Sequence, residues 1–454
     1  MNNIPKIVIS AVSSSCGKTT IVTGIIAALR RRNIKVQAYK IGPDYIDTSY
    51  HSLASGRPAH NLDTWLVPAN KLNEIFEATA QDADIAIIEG VMGLYDGGRG
   101  GISSTAEVAK LLNAPVILVI DAKSIGTSAA AIALGFREYD RDVNIAGVIL
   151  NRIGSDNHKQ IIEEALDKLN IKCFGAVRRD DKLKTPERHL GLLPTHENTA
   201  VELIDYIGNA IEEQINIDAL IDLAGNKENK QTIHQLQYKH EVNIGVAYDE
   251  AFNFYYPASL NVLEKLGAKI IKFSPLHDKQ IPNVDGLIIG GGFPEMFAAQ
   301  LESNESMRNS IKTAADECMP IFAECGGYMY LMNELTDFNG SSYKMVGVID
   351  NSAKMNERLQ MVGYVKAALT ADCILGKAGD VFHAHEFHFS NAVNNDRQNV
   401  FNCVRIRNDE KYSAGFMSNN IAASYLHIHF AGCVNAAKHF IENCKLYRRR
   451  YENE

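Results

Sequence analysis

Short, nearly unbroken apolar runs alternate with amphipathic stretches along the first half of the chain. Such runs are typical of parallel strands buried on both faces of a sheet, and they occupy residues 6–11, 35–40, 83–90, 114–122, 144–151 and, more weakly, 173–177. Apolar residues at helical spacing between the runs predict helices at about 18–31, 103–112, 127–138 and 157–168. Strands and helices that alternate in this way predict a doubly wound α/β domain with a parallel sheet.

A polar segment separates this series from a second one. Residues 226–240 are amide-rich and charged and hold too few apolar residues for a place in a core, so we predict a linker there. Buried-strand patterns resume at 243–250, 269–275, 284–292 and 320–327. Short strands with turns follow after about residue 340, ending in an apolar run at 421–430 and an amphipathic helix. The pattern predicts an N-terminal domain over 1–225 and a C-terminal α/β domain over 241–454.

Composition narrows the class of protein. The 454 residues exceed the ~250–300 residues at which a single core stops growing, and 46% hydrophobic with 22% charged residues exclude a disordered or fibrous chain. A net charge of −8 gives no basic surface for nucleic acid. The longest apolar run is far below the roughly 20 residues of a membrane span, no basic and apolar leader opens the chain, and the eight cysteines show no paired spacing. We therefore expect a soluble, cytoplasmic protein that binds neither nucleic acid nor membrane.

A phosphate-binding loop is predicted directly after the first strand, where SAVSSSCGKTT places Gly17, Lys18, Thr19 and Thr20 at a helix start. Backbone N–H groups at a helix start bind phosphate, the lysine neutralises the β and γ oxygens, and the Thr19 hydroxyl is placed to bind Mg²⁺. Val12 stands at the first glycine position of the usual motif, so an ordinary helix start is the alternative. The strand–loop–helix context favours nucleotide binding.

Acidic residues follow the next strands, whose carboxyl ends meet at one edge of a parallel sheet. Asp44 and Asp47 follow the second strand, Glu89 and Asp96 follow the third, and Asp63 lies in NLDTW. Each aspartate taken singly is typical of a turn or a helix cap. Together, beside the GKTT loop, they indicate magnesium–nucleotide chemistry, with Glu89 as an outer or direct contact of the metal.

A cysteine elbow is predicted in the second half. The segment PIFAECGGYMYL places Cys325 at the end of a buried strand, with Gly326 next to it and a helix after that. This arrangement exposes a nucleophile, and the N–H groups and dipole of the helix favour a thiolate and an oxyanion. The segment HIH offers His427 or His429 as its base, and the pattern leaves the choice open.

Two further segments belong to the same region of the sequence. In GGGFPE, Gly291 and Gly292 are placed to add N–H groups to an oxyanion hole, with a plain glycine turn as the alternative. The segment VFHAHEFHFS at 381–390 is rich in histidine. Alternation along a strand produces no open metal triad there, so we interpret it as a polar pocket wall rather than a metal site.

These motifs resemble one family when they are taken together. GKTT, KIGPDYIDTSYH, NLDTW, EGVMGLYDG, PERHLGL, GGGFPE, AECGGYMYL, HEFHFS and SYLHIHF occur in the order and spacing of the cobyrinic acid a,c-diamide synthases, from Lys6 to about Cys444. Alone, the phosphate loop is shared with dethiobiotin synthetase-like enzymes and the elbow with class I glutamine amidotransferases. The resemblance implies an N-terminal dethiobiotin synthetase-like P-loop domain and a C-terminal class I glutamine amidotransferase-like domain.

The resemblance also implies a reaction, in which ATP and glutamine are used to amidate the a and c acetates of cobyrinate in cobalamin biosynthesis. Cys325 would attack the glutamine carboxamide and release ammonia, with His427 preferred to His429 as base. ATP with Mg²⁺ would convert a ring carboxylate into an acyl phosphate, which ammonia then attacks. Nickel-sirohydrochlorin and hydrogenobyrinate remain alternative acceptors, and a nucleotide-dependent switch ATPase is the alternative of a different class. The elbow with its histidine disfavours the switch.

Site residues transfer from the family motifs position by position. The resemblance implies that Lys18, Thr19 and Glu89 hold ATP and Mg²⁺. It assigns the acceptor and acyl-phosphate site to Asp44, Tyr45, Asp47 and Asp96, and the tetrapyrrole pocket to Arg188 and His189. Ser15 departs from the pattern by replacing a glycine of the loop, which concerns the loop geometry rather than Lys18. The oligomeric state is left open, with a homodimer as one possibility.

Overall fold

The computed structural model of the chain describes residues 4–183, 187–188, 191–192, 198–225, 239–393 and 401–452. The chain divides into two compact units. The first unit is Met1–Thr64 with Pro68–Gln235, and the second is Trp65–Val67 with Leu236–Glu454. Apart from 239–240, the predicted linker at 226–240 lies outside the described residues.

The first unit is built on a parallel sheet. Its described strands are β1 (Lys6–Ala11), β2 (Val36–Ile41), β3 (His60–Leu62), β4 (Ile85–Glu89), β5 (Val116–Asp121), β6 (Ile145–Ile153), β7 (Cys173–Arg178) and the short pair β8 (Glu187–Arg188) and β9 (Gly191–Leu192). Its described α-helices are α1 (Lys18–Arg31), α2 (Ile46–Ser55), α3 (Ala69–Ala80), α4 (Thr105–Leu111), α5 (Ser128–Tyr139), α6 (Asp156–Asp167), α7 (Asn198–Gln214) and α8 (Ile217–Ala224). Single 3₁₀ turns lie at Arg99–Gly101 and Asp181–Leu183.

The strand order confirms a doubly wound sheet. The order is β3-β2-β4-β1-β5-β6-β7, so β1 lies in the middle of the sheet and later strands lie on both sides of it. Ile7, Val8 and Ile9 of β1 have no exposed surface, because the sheet is covered on both faces. Burial on both faces is why these strands show as unbroken apolar runs in the sequence. The three-residue edge strand β3 was not predicted, since three residues are too few to show a period.

The second unit combines a mostly parallel sheet with smaller antiparallel ones. Its described strands are β10 (Val242–Ala247), β11 (Phe252–Phe254), β12 (Ala268–Phe273), β13 (Gly286–Ile289), β14 (Gly291–Gly292), β15 (Ile321–Glu324), β16 (Met332–Thr336), β17 (Ser342–Lys344), β18 (Ile349–Met355), β19 (Met361–Leu369), β20 (Val381–His388), β21 (Ser390–Ala392), β22 (Phe401–Arg405), β23 (Lys411–Ala414), β24 (Phe416–Met417), β25 (Ile421–Ser424) and β26 (His427–Ile428). Its described helices are α9 (Pro257–Lys265), the 3₁₀ turn Pro294–Met296, α10 (Ala298–Ser303), α11 (Glu305–Asp316), α12 (Gly326–Leu331) and α13 (Val434–Glu452).

The central sheet of the second unit has the order β12-β10-β13-β15-β25-β24, and a five-stranded sheet has the order β23-β22-β19-β20-β26. β15 pairs in parallel with both β13 and β25. The apolar run predicted at 421–430 is two strands, because the chain leaves the central sheet after Ser424 and joins β20 at His427. No helix in the described part of the chain is long and apolar enough to cross a membrane.

Candidate active sites

The predicted phosphate loop connects β1 to α1 in the first unit. Gly17 precedes the helix with a φ of 83°, a left-handed conformation that glycine adopts without strain. The Lys18 ammonium donates hydrogen bonds to the carbonyl oxygens of Ser13, at 3.3 Å, and of Met92. Burial and the neighbouring Lys40 lower the pKa of Lys18. The Lys18 ammonium thus lies within the loop. An anionic phosphate could take the place of these carbonyl oxygens as its hydrogen-bond partner.

A buried charge cluster lies beside the start of α1. The Thr19 hydroxyl donates to Glu89 Oε1 at 2.8 Å and lies 3.3 Å from Asp47 Oδ2. Lys40, at the end of β2, donates to the same Glu89 oxygen at 2.9 Å and to Asp47. His51 Nε2 lies 2.8 Å from the other Glu89 oxygen. The structure therefore brings together the ends of β2 and β4 and the first turns of α1 and α2.

The charges of this cluster stabilise one another. Burial acts to raise the pKa of Glu89, but Lys40 and His51 outweigh it and leave that pKa below its usual range. Burial likewise acts to lower the pKa of Lys40, and the charges of Asp47 and Glu89 leave it raised. Burial and the neighbouring Asp44 raise the pKa of Asp47 to about 6. At neutral pH Glu89 is therefore held as an anion beside a cationic Lys40.

The donor set fits Mg²⁺, which prefers hard oxygen ligands. Thr19 and Asp47 present a hydroxyl and a carboxylate oxygen 3.3 Å apart at the mouth of the loop. Both oxygens of Glu89 are contacted, one by Thr19 and Lys40 and the other by His51, and its side chain has no exposed surface. The Asp47 side chain, which Lys40 also contacts, keeps 15% exposure. Glu89 was expected to contact the metal either directly or as an outer residue, and the geometry favours the outer contact.

Other predicted residues of the first unit have local contacts. Asp44 Oδ1 accepts from the N–H groups of Ile46 at 2.8 Å and of Asp47 at 2.9 Å, so Asp44 caps the start of α2. Asp96 Oδ2 accepts from the N–H of Gly93 at 3.1 Å. Tyr45 is the residue that precedes α2.

The Thr20 hydroxyl donates to the carbonyl oxygen of Leu183 at 3.5 Å. Arg188 lies in β8. The side chain of Arg188 and the whole of His189 lie outside the described residues.

Two residues at the end of β6 hold the phosphate loop, and sequence reasoning missed both. Asn151 Nδ2 donates to the carbonyl of Cys16 at 2.8 Å, and one Arg152 nitrogen donates to the carbonyl of Ser15 at 3.0 Å. Another nitrogen of Arg152 pairs with Asp121. Ser15 has a φ of 62°, the left-handed conformation that the glycine of the family pattern would adopt freely. These contacts explain how a loop with serine at that position is held.

The cysteine elbow is present between β15 and α12. Cys325 has a φ of 49° and a ψ of −101°, and its N–H donates to the carbonyl of Ser424 at 2.7 Å. The N–H of Gly327 donates to the carbonyl of Gly290 at 3.0 Å. A Cβ atom at Gly326 would lie 3.1 Å from the nitrogen of Gly292, so the two glycine loops are in contact.

The two candidate histidines have different surroundings. A Cβ atom at Gly291 would lie 2.8 Å from Cε1 of His427, so this ring packs against the glycine loop. His429 stacks on Tyr256, and its Nδ1 accepts from the N–H of Ala431 at 3.1 Å. His427 is thus the candidate whose ring packs against the glycine loop, whereas one ring nitrogen of His429 accepts a hydrogen bond from a backbone turn.

The resting cysteine and histidine are both neutral. Burial, followed by the charge of Glu295, raises the pKa of the Cys325 thiol well above its usual value. Burial and the nearby His385 and His388 lower the pKa of His427 to about 3. The prediction of a thiolate is therefore wrong for the resting site, because burial, the largest effect on the pKa of Cys325, outweighs the N–H of Gly326.

Comparisons with known proteins match both halves of the chain to families. Residues 7–193 match the CobQ/CobB/MinD/ParA nucleotide binding domain family, and residues 243–433 match the CobB/CobQ-like glutamine amidotransferase domain family. The chain is 41% identical over 450 residues to a cobyrinate a,c-diamide synthase of Caldanaerobacter subterraneus, covering 97% of this chain and 99% of that protein. It is 42% identical to the protein of the same name from Dehalococcoides mccartyi strain CBDB1, covering 98% and 99%. The protein of that name from Listeria monocytogenes strain F2365 is 43% identical, covering 94% and 96%.

Proposed function

The chain belongs to the cobyrinate a,c-diamide synthase family, and we propose that it uses ATP and glutamine to convert the a and c acetate carboxylates of cobyrinate into amides. As a family member it is a glutamine-hydrolysing ligase with a nucleotide-binding domain and an amidotransferase domain. The observation that carries the proposal is that one chain holds both halves of the chemistry. The first unit holds the Lys18 loop beside a buried charge cluster, and the second holds Cys325 in an elbow.

Glutamine hydrolysis follows from the elbow. The Cys325 sulfur attacks the side-chain carboxamide carbon of glutamine while its proton moves to His427, which is neutral at rest because its pKa is lowered to about 3. The C–N bond breaks, and ammonia leaves with that proton. Water then hydrolyses the thioester, which releases glutamate and restores the thiol. The N–H groups of Gly292 and Gly326 are the proposed donors to the oxyanion.

Amide formation needs an activated carboxylate, because a carboxylate is a poor acceptor for ammonia. A ring carboxylate oxygen bonds to the γ-phosphorus of ATP and ADP leaves, and ammonia then attacks the carbonyl carbon of the acyl phosphate, with loss of phosphate and a proton. We propose that Lys18 and the N–H groups from Gly17 to Thr20 hold the phosphates. Mg²⁺ bound at Thr19 and Asp47 would neutralise phosphate charge.

The remaining assignments follow the family positions. We propose that the ring carboxylate and the acyl phosphate are held by Asp44, Tyr45, Asp47 and Asp96, and the ring itself by Arg188 and His189. We also propose that the ligase domain covers 1–225 and the amidotransferase domain 241–454. The eight cysteines are all free thiols, as is usual in a reducing compartment, which supports a cytoplasmic location.

The test is an amidation assay with the full chain, Mg²⁺, ATP and glutamine. Cobyrinate, hydrogenobyrinate and nickel-sirohydrochlorin are offered separately, and the products are identified by mass spectrometry. A diamide of cobyrinate at the highest kcat/KM supports the proposal. A higher kcat/KM on one of the other rings would move the acceptor to that ring. ATP hydrolysis without amide formation on any ring would overturn the proposal in favour of a nucleotide switch.

A further inference from the structure

A buried glutamate connects the strand of the nucleophile to the strand of the histidine. Glu324 is the last residue of β15 and directly precedes Cys325. Its Oε1 accepts a hydrogen bond from the N–H of Ile428 at 2.8 Å, and Ile428 directly follows His427. We propose that Glu324 is a positioning residue that holds His427 in place for the attack of Cys325 on glutamine. This inference rests on the glutaminase activity proposed above.

The histidine segment needs such a support because it lies outside the central sheet. Up to Ser424 the chain is held by parallel pairing of β25 with β15. β26 comprises two residues and pairs with β20, where His427 lies opposite His385. The backbone pairing between β15 and this part of the chain ends at Ser424. Beyond that point, the hydrogen bond between the Glu324 carboxyl and the N–H of Ile428 connects the two segments.

Glu324 is also unexpected where it stands. The rest of β15 is Ile321, Phe322 and Ala323, which are all buried, and Glu324 itself is 6% exposed. Burying a carboxyl group costs free energy unless it is hydrogen-bonded, so an apolar residue would suit the strand better. The bond to Ile428 is what offsets that cost.

The protonation of Glu324 agrees with a role as acceptor rather than as charge. Burial raises the pKa of Glu324 to about 8, against the opposing effect of the Ile428 N–H. Near neutral pH the group is mostly protonated, and its carbonyl oxygen can still accept from Ile428. Protonation also limits the negative charge next to Cys325, which would disfavour a thiolate.

The role can be tested with two substitutions of equal length. Glu324→Met fills the same space without an acceptor oxygen, whereas Glu324→Gln keeps one. In the full chain we expect E324M to lower kcat for glutamine hydrolysis about 100-fold, as expected for a misplaced catalytic group, with little change in KM. We expect E324Q to stay within a few-fold of the unsubstituted chain. Ammonia-dependent amidation should be unchanged in both variants, which also shows that the chain is folded.

Asp285→Asn is the matched control, because the Asp285 carboxylate also accepts a backbone N–H from a neighbouring strand, that of Asn243 at 2.7 Å, but does so before the start of β13 rather than beside Cys325. It should leave glutamine hydrolysis unchanged. A kcat in E324M equal to that of the unsubstituted chain would overturn the inference, as would equal losses in E324M and E324Q. Absence of glutaminase activity in the unsubstituted chain would instead overturn the proposed function.

Discussion

His51 Nε2 lies 2.8 Å from Glu89 Oε2, and both side chains are fully buried. Lys40 contacts the other oxygen of the same carboxylate. Glu89 is thereby fixed behind Thr19 by one basic residue on each side. The pair joins α2 to β4 beside the nucleotide loop. A change in the pair should therefore affect both the stability of the first unit and the proposed metal site.

Removing the histidine should destabilise the first unit. His51→Leu leaves one Glu89 oxygen buried without its partner, which costs about 1–3 kcal/mol, and we expect a lower urea midpoint by circular dichroism. His277→Leu is the control, because His277 and Glu250 form a His–Glu pair at 2.9 Å that is largely exposed. Exposed pairs contribute about 0–1 kcal/mol. Equal midpoints for H51L and H277L would contradict the buried role of His51.

Two substitutions should separate the two halves of the reaction. Cys325→Ala removes the nucleophile, so glutamine-dependent synthesis should fall to background while ammonia-dependent synthesis remains. Lys18→Ala removes the phosphate contact, so synthesis should be lost with either nitrogen source. Both rates are measured from ADP and amide formation. Full activity of either variant with glutamine would show that the corresponding site is wrongly assigned.

The contact between Arg152 and the phosphate loop should affect ATP binding. Arg152→Ala removes a charge-assisted hydrogen bond to the Ser15 carbonyl, and such bonds contribute about 1.5–3 kcal/mol. Since 1.4 kcal/mol corresponds to tenfold, we expect KM for ATP to rise about tenfold in the ammonia-dependent assay. Arg178→Ala, which breaks an exposed pair with Asp156, should leave KM unchanged. An unchanged KM in R152A would mean that the loop keeps its shape without this residue.

Buried acids should make the second unit less stable as pH rises above about 6.5. Burial raises the pKa of Glu295 and Glu386 to about 7 and of Glu324 to about 8, from an ordinary 4.5. In this range the unfolded chain has already released those protons, so stability falls until the folded groups ionise near pH 8. Below pH 6.5 the buried histidines oppose this trend, because burial lowers the pKa of His385, His388 and His427.

The fluorescence of Trp65, the single tryptophan, can follow unfolding of the second unit, because Trp65 stacks on His383 within that unit. The urea midpoint followed by tryptophan fluorescence should fall between pH 6.5 and 8. The triple variant with glutamine at 295, 324 and 386 should show a flatter dependence. A midpoint that rises over this interval in the unsubstituted chain would contradict the assigned protonation states.

The resting thiol should react slowly. Because the pKa of Cys325 is raised and only the thiolate is nucleophilic, its alkylation by iodoacetamide without glutamine should be slow at pH 7. The rate should still be rising at pH 9. Exposed Cys318 in the same chain is the internal control, and peptide mass spectrometry follows each site. A rate at Cys325 that reaches a plateau below pH 8 would show that the site holds a thiolate.

The local pattern was sufficient for much of the fold. The predicted strand at 6–11 is β1, and the predicted helix at 18–31 is α1, because a strand buried on both faces leaves an unbroken apolar run and a helix packed on the sheet leaves apolar residues at helical spacing. The apolar run at 421–430 did not show where one strand ends and the next begins, and the structure divides it into β25 and β26. Its break after Ser424 depends on pairing with β20, more than thirty residues away along the chain.

For the sites, the sequence determined which residue types stand at strand ends, and so indicated Lys18, Thr19, Glu89 and Cys325. Only the tertiary structure decided which groups meet. Lys40 and Glu89 are 49 residues apart, and Glu324 and Ile428 are 104 apart, so no local period connects them. Protonation was likewise decided by the fold, because it depends on burial and on charges brought from distant strands. That is why the sequence predicted a thiolate at Cys325 and the structure holds a neutral thiol.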